Sequence, residues 1–203
     1  VETYYVKEVF SLLKQNYLVQ DEQGQTHYLV EPKIGQGFIL SDSEGMRLAQ
    51  VRSPRLGKRP GILTFEVIQD GVLNATVQRD PSTTGIALVV NGPDWVVTSH
   101  MEKVPLDGNL VTTQLTYIVT DKQGDTHARI THTTAVATTA SEICSDEYRV
   151  DLEPGQSEIL ILCVVIVIDV ISDGKRIDQQ IRSDNPSYRW GAESAERRKN
   201  RQR

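Results

Sequence analysis

Residues 159–171 read ILILCVVIVIDVI. Ten apolar residues run unbroken from Ile159 to Ile168 before Asp169 interrupts them, and no other stretch of the chain is comparable. Such a run either crosses a membrane or lies inside a protein core. A spanning helix needs about 18–20 apolar residues to cross about 30 Å of hydrocarbon. This run is shorter and is bracketed by charge, with Glu153 and Glu158 before it and Asp173, Lys175 and Arg176 after it. The reading is a buried core element, which the rest of the chain must surround.

Its secondary structure is contested locally. Nine of the thirteen residues are Val or Ile, which favours a strand. Thirteen residues exceed the usual strand length of about five or six. Pro154 and Glu158 suit a helical first turn, and Gly174 followed by Lys175 and Arg176 suits a helix end. A helix apolar on every face belongs in an interior. The expectation is a core helix over about residues 156–173.

The 203 residues carry a net charge of −5, which argues against general nucleic-acid binding. The start, VETYYVKEVF, has neither a basic beginning nor an apolar signal core, so an intracellular, cytoplasmic setting is expected. Two cysteines make no disulfide framework. Cys163 falls in the apolar run and reads as a small buried hydrophobe. Cys144, beside Asp146 and Glu147, has no cationic neighbour in sequence to activate it.

Most of the remaining chain reads as short strands. Runs rich in Val, Ile, Thr, Leu and Tyr alternate with turn signals at Asp21–Gly24, Asp42–Gly45, Asp70-Gly71, Asn91-Gly92, Asp107-Gly108 and Asp121–Gly124. Asp70-Gly71 is the strongest two-residue hairpin signal. This pattern predicts a sandwich or a barrel. NYLVQDEQGQTH at 16–27 recurs as TYIVTDKQGDTH at 116–127, both strand, turn, strand. The repeat suggests a two-fold relationship, with each half contributing part of one closed sheet. After Ile181 the chain turns polar and ends in Arg197, Arg198, Lys199, Arg201 and Arg203. Residues 1–182 are read as one domain and 183–203 as a flexible basic tail, tethered by Tyr188 and Trp190.

Several stretches carry a family resemblance: VFSLLKQNYLVQDEQGQTHYLVE, ILSDSEGMRLAQVRSP, LTFEVIQDGVLNATVQR, VNGPDW, YIVTDKQGDTHARIT, and DEYRVDLEPGQSEILILCVVIVIDVI at the end. In this order they resemble the LURP-one-related family of the tubby C-terminal-like superfamily, whose fold the phospholipid scramblases share. The resemblance covers about residues 4–173. It implies a closed barrel of about twelve antiparallel strands threaded by the apolar C-terminal helix. Residues 130–147 lack the aromatic and basic residues common in the family there, so a strand is expected to be displaced or irregular. Lipid flipping is not expected, because the one apolar helix is needed inside.

No catalytic pattern is present. The sequence holds no HExxH, CxxC, G-x-S-x-G or P-loop motif, and no enzyme activity, metal or cofactor is expected. His27 and His127 follow hairpin turns and read as solvated. His127 and His132, five apart, fall on opposite faces of a strand. Asp169 is expected at the barrel mouth, bonded to backbone or water. The D-x-x-G segments lack the alternate acids of a calcium loop.

The candidate site is basic. Arg47 and Arg52 flank one strand, and the following loop SPRLGKRPG adds Arg55, Lys58 and Arg59. Arg52, Arg55, Lys58 and Arg59 could hold phosphate by point charge and bidentate contacts. The tubby branch of the superfamily binds phosphoinositide headgroups, and the resemblance implies a binding domain for anionic phospholipid at a membrane surface. The alternative is a protein-interaction scaffold with no lipid ligand.

Overall fold

The computed structural model describes residues 1–11, 14–33, 37–52, 64–80, 86–105, 111–134 and 146–184. Twelve strands and one helix lie among them: β1 (Glu2–Ser11), β2 (Lys14–Gln20), β3 (Thr26–Lys33), β4 (Gly37–Asp42), β5 (Arg47–Arg52), β6 (Thr64–Gln69), β7 (Val72–Arg79), β8 (Ala87–Asn91), β9 (Trp95–Pro105), β10 (Val111–Thr120), β11 (Thr126–Thr134), β12 (Asp146–Leu152) and α1 (Glu158–Asp184). Each strand pairs antiparallel with its sequence neighbours, and β1 closes the ring on β12. Closure removes the sheet edges that would otherwise invite association.

The register shows which side chains face the lumen. Val6 lies opposite both Val19 and Tyr148. The same inner rows continue through Val150 and Ile130, Val119 and Val97, Val90 and Val77, and Leu40 and Val30, all buried. Apolar residues recur at every second position along these strands, which is the period that puts one face inward.

From Leu160 to Val167, every side chain of α1 is 3 % exposed or less. A segment buried all round beside the inner rows of a closed sheet runs inside that sheet. Helix wins over strand here for a reason beyond propensity. The twelve strands have used their ladder groups on each other, so a strand in the lumen would find no backbone partner. A helix satisfies its own amides and carbonyls. The β-branched residues cost about 0.5 kcal/mol each in helix propensity, against about 1.5–3 kcal/mol for burying each side chain. Ser157 O accepts from Ile161 N at 3.0 Å and starts the helix, just after Gly155 at φ 81°.

Several expectations need adjustment. The helix begins at Glu158 and runs to Asp184, beyond the expected stop near 173. Gly174 is tolerated within it, and the residues after it, KRIDQQI, are mostly good helix formers. Asp169 is 1 % exposed. In the described part of residues 130–147 no strand is displaced or irregular: β11 and β12 pair without interruption from Ala128 opposite Leu152 to Thr134 opposite Asp146, and residues 135–145 lie outside the described residues.

The repeat is real at the level of the hairpin and is not two-fold. Around the ring, β2–β3 and β10–β11 are separated by two strands on one side and six on the other. A two-fold axis would require equal separations. A third copy, Asp42–Gly45 between β4 and β5, has the same construction. Asp70-Gly71 joins β6 to β7 with both residues at positive φ, 50° and 76°, the geometry of a type I′ turn. Asn91-Gly92 leads the β8–β9 turn. Asp107-Gly108, Cys144, Tyr188, Trp190 and the basic tail lie outside the described residues.

Candidate functional site

Arg52 closes β5 with its side chain half exposed. It stands opposite Glu66 on β6, and its Nη1 lies 3.3 Å from the Glu66 carboxylate. An exposed pair of this kind contributes little to stability, about 0–1 kcal/mol, and leaves the guanidinium available. Arg55, Lys58 and Arg59 lie outside the described residues, in the connection between β5 and β6. That connection, residues 53–63, carries these three cations and no carboxylate. Arg47 does not join them. It sits at the opposite end of β5, about 17 Å away at 3.3 Å per residue, and its Nη2 donates to Gln50 Oε1.

The opposite end of the barrel is built from turns, and their construction is explicit. In each D-x-x-G copy the Asp Oδ1 accepts two backbone amides: Gln23 and Gln25 on Asp21 at 2.9 and 2.8 Å, Glu44 and Met46 on Asp42 at 3.0 and 2.8 Å, Gln123 and Asp125 on Asp121 at 2.9 Å each. The glycine closes the turn at φ 80°, 85° and 90°, where a residue with a Cβ would be strained. These carboxylates hold their own hairpins.

Each copy is followed by a β-bulge. The register slips so that Gln20 opposes Thr26 while Val19 opposes Tyr28, leaving His27 as the extra residue. The same slip leaves His127 extra on β11 and Leu48 extra on β5. A bulge re-aims its side chain. Here it turns His27 Nε2 to 2.9 Å from Asp21 Oδ2 and His127 Nε2 to 3.2 Å from Asp121 Oδ2. His27 also contacts Tyr4 edge-on, ring centroids 5.9 Å apart. His127 stacks on Trp95 at 5.2 Å and is only 13 % exposed, so it is packed where solvation was expected. His132 packs separately against Tyr148 at 4.9 Å.

The His27 bond is the main cause that lowers the Asp21 carboxyl below its ordinary value. At Asp121, partial burial pushes upward, but the Asp125 and Gln123 amides and His127 outweigh it and the carboxyl is again lowered. Beside the first pair lies a recess of about 260 Å³ lined by Glu2, Tyr4, Asp21, Glu22 and His27 among others. Tyr4 donates to Glu2 at 2.9 Å, and Glu158 of α1 faces both Tyr4 and Tyr28. Burial, then Glu158, raises both phenols above the ordinary tyrosine range. Among the described residues no group of His, Cys, Asp and Glu has metal-ligand geometry. Cys163 is buried, and burial pushes its thiol up to about 12. Sequence reasoning missed the two Asp–His pairs, although an Asp with a His six residues later occurs in both copies.

A closed antiparallel barrel of twelve strands with an apolar C-terminal helical segment defines a narrow structural class. The profile of the LURP-one-related family matches residues 2–169, and the chain belongs to that family. No curated protein and no solved structure matches it. No helix among the described residues is long and apolar enough to cross a membrane.

Proposed function

We propose that this protein is a non-enzymatic binding domain that docks on anionic phospholipid or phosphoinositide headgroups through Arg52, Arg55, Lys58 and Arg59. The observation that supports it is the distribution of charge between the two ends of the barrel. The turn end carries eight carboxylates and one lysine in its six connections, at residues 21–25, 43–46, 70–71, 92–94, 121–125 and 153–157. The six connections at the other end, residues 12–13, 34–36, 53–63, 80–86, 106–110 and 135–145, carry three carboxylates, Asp80, Asp107 and Glu142, against three cations, all of them in residues 53–63. The connections of that end are neutral overall with their cations gathered in one of them, so it meets less repulsion at an anionic surface than the turn end does. Each cation near such a surface contributes about 1 kcal/mol at moderate salt, so four give useful but salt-sensitive attraction.

Sedimentation with phosphatidylserine-containing vesicles tests this reading. Binding at low salt, lost when Arg55, Lys58 and Arg59 are together replaced by Glu, is the expected result. Absence of binding, or binding indifferent to the replacement, removes it and leaves the protein scaffold as the better reading.

A further inference from the structure

The acidic turn end holds a second feature that charge does not explain. Met46, Val72 and Leu73 are 62, 68 and 55 % exposed. They belong to two adjacent hairpins, β4–β5 and β6–β7, which also supply a recess of about 230 Å³ lined by Arg47, Leu48, Ile68, Asp70 and Gly71, the chain neighbours of Met46 and Val72 among them. Leu73 stands directly opposite Ile68 in the register. Leu48 and Ile68 are the aliphatic part of the lining, Arg47 and Asp70 its charged part, and Glu44 stands in the neighbouring β4–β5 turn. The type I′ turn requires Asp70 and Gly71 but places no demand on Val72 or Leu73. Single exposed apolar residues are ordinary. Three on two adjacent hairpins, beside a recess, mark a contact surface.

We infer that this recess docks a basic segment of a partner protein, with one of the partner's aliphatic side chains in the recess and its Lys or Arg residues against the acidic turns. Charge complementarity selects the occupant. The eight carboxylates of the turn connections outnumber the cations beside them among the described residues: Lys122 is held by Asp94 at 2.9 Å, and Arg47, in the recess lining, donates to Gln50. Such a field attracts a basic chain and repels an acidic one. The same field holds off anionic lipid, so this surface is independent of the headgroup reading and faces away from any membrane that reading requires.

The probe is a random peptide library displayed on phage, selected against the immobilised full chain. Recovered peptides should be rich in Lys or Arg and share an aliphatic residue. Their binding should weaken roughly fivefold or more in Leu73→Ser and in Glu44→Lys, the loss expected of a single central contact. Both positions are exposed, and an unchanged melting temperature confirms that each variant folds. Vesicle binding should be the same in both variants. Recovery of no peptide, of peptides without basic excess, or of peptides that bind both variants as well as the parent would overturn the inference. So would attachment to neutral phosphatidylcholine vesicles that disappears in Leu73→Ser, which would mark the patch as membrane-inserting.

Discussion

His27 Nε2 lies 2.9 Å from Asp21 Oδ2, and the relationship is repeated a hundred residues later by His127 and Asp121 at 3.2 Å. In each pair one carboxylate oxygen fastens the turn and the other faces the histidine of the bulge that follows it, as a hydrogen bond at His27 and as a 3.2 Å approach at His127. Both carboxyls titrate below their ordinary value in the folded protein.

The sign of the pH effect follows. A carboxyl lowered on folding contributes stability that is present above its unfolded pKa of about 3.9 and is lost as pH falls through its folded value. Stability should therefore decline below about pH 4. Asp21→Asn keeps an acceptor for the two amides but gives up the ionised bond to His27. Urea denaturation from pH 2 to 6 should show a shallower acid decline in this variant than in the parent.

The alkaline limb has the opposite sign. Tyr4 and Tyr28 are raised on folding by burial and by Glu158. Their contribution is complete below the unfolded tyrosine pKa of about 10 and is lost as pH rises through the folded value. Tyr4→Phe should reduce the fall in stability between pH 9 and 11, at a cost near neutrality of about 1 kcal/mol for the lost bond to Glu2. Denaturant midpoints across that range, with tyrosinate absorbance recorded alongside, check both effects.

Gly92 supports the β8–β9 turn at φ 119°, and a Cβ there would meet the Asn74 carbonyl oxygen at 2.5 Å. Neither the backbone angle nor the strand opposite can accommodate a methyl group. Gly92→Ala should lower stability by about 1–3 kcal/mol. Gly124→Ala, also at positive φ but with open space around it, should cost less. Thermal melts of the two variants make the comparison.

Much of the fold was readable in residues 159–168. An unbroken apolar run too short for a membrane had to be enclosed, and the turn signals supplied the strands to enclose it. Five of six turn signals fall at the connections the structure shows, and the sixth lies outside the described residues. Closure into a ring came from resemblance, because alternation along a strand says nothing about which strand pairs with which. The helix end was misplaced because Gly174, Lys175 and Arg176 are stop signals only where the following residues cannot continue a helix. Bulges hid the roles of His27 and His127, since a one-residue slip redirects a side chain that strict alternation sends elsewhere. Arg52, Arg55, Lys58 and Arg59 were legible as a charge cluster, whereas the recess at Leu48 and Ile68 depends on two hairpins meeting in space.

Substitution within the helix gives a graded test of enclosure. Leu160 is 3 % exposed and Val165 is fully buried. Leu160→Ala should cost about 2–5 kcal/mol through the cavity it leaves. Val165→Asp places an uncompensated charge inside and should cost several kcal/mol, enough to unfold a domain of ordinary stability. Circular dichroism melts of both variants should show this order.

The most direct measurement is the accessibility of Cys163, which sits in the middle of the enclosed segment. In a Cys144→Ser background, reaction with a thiol reagent such as dithiobisnitrobenzoate reports that one site. A helix held inside the closed barrel leaves Cys163 unreactive in native buffer, with modification rising only along the global unfolding transition in urea. Rapid stoichiometric labelling of the folded protein would contradict the enclosed helix.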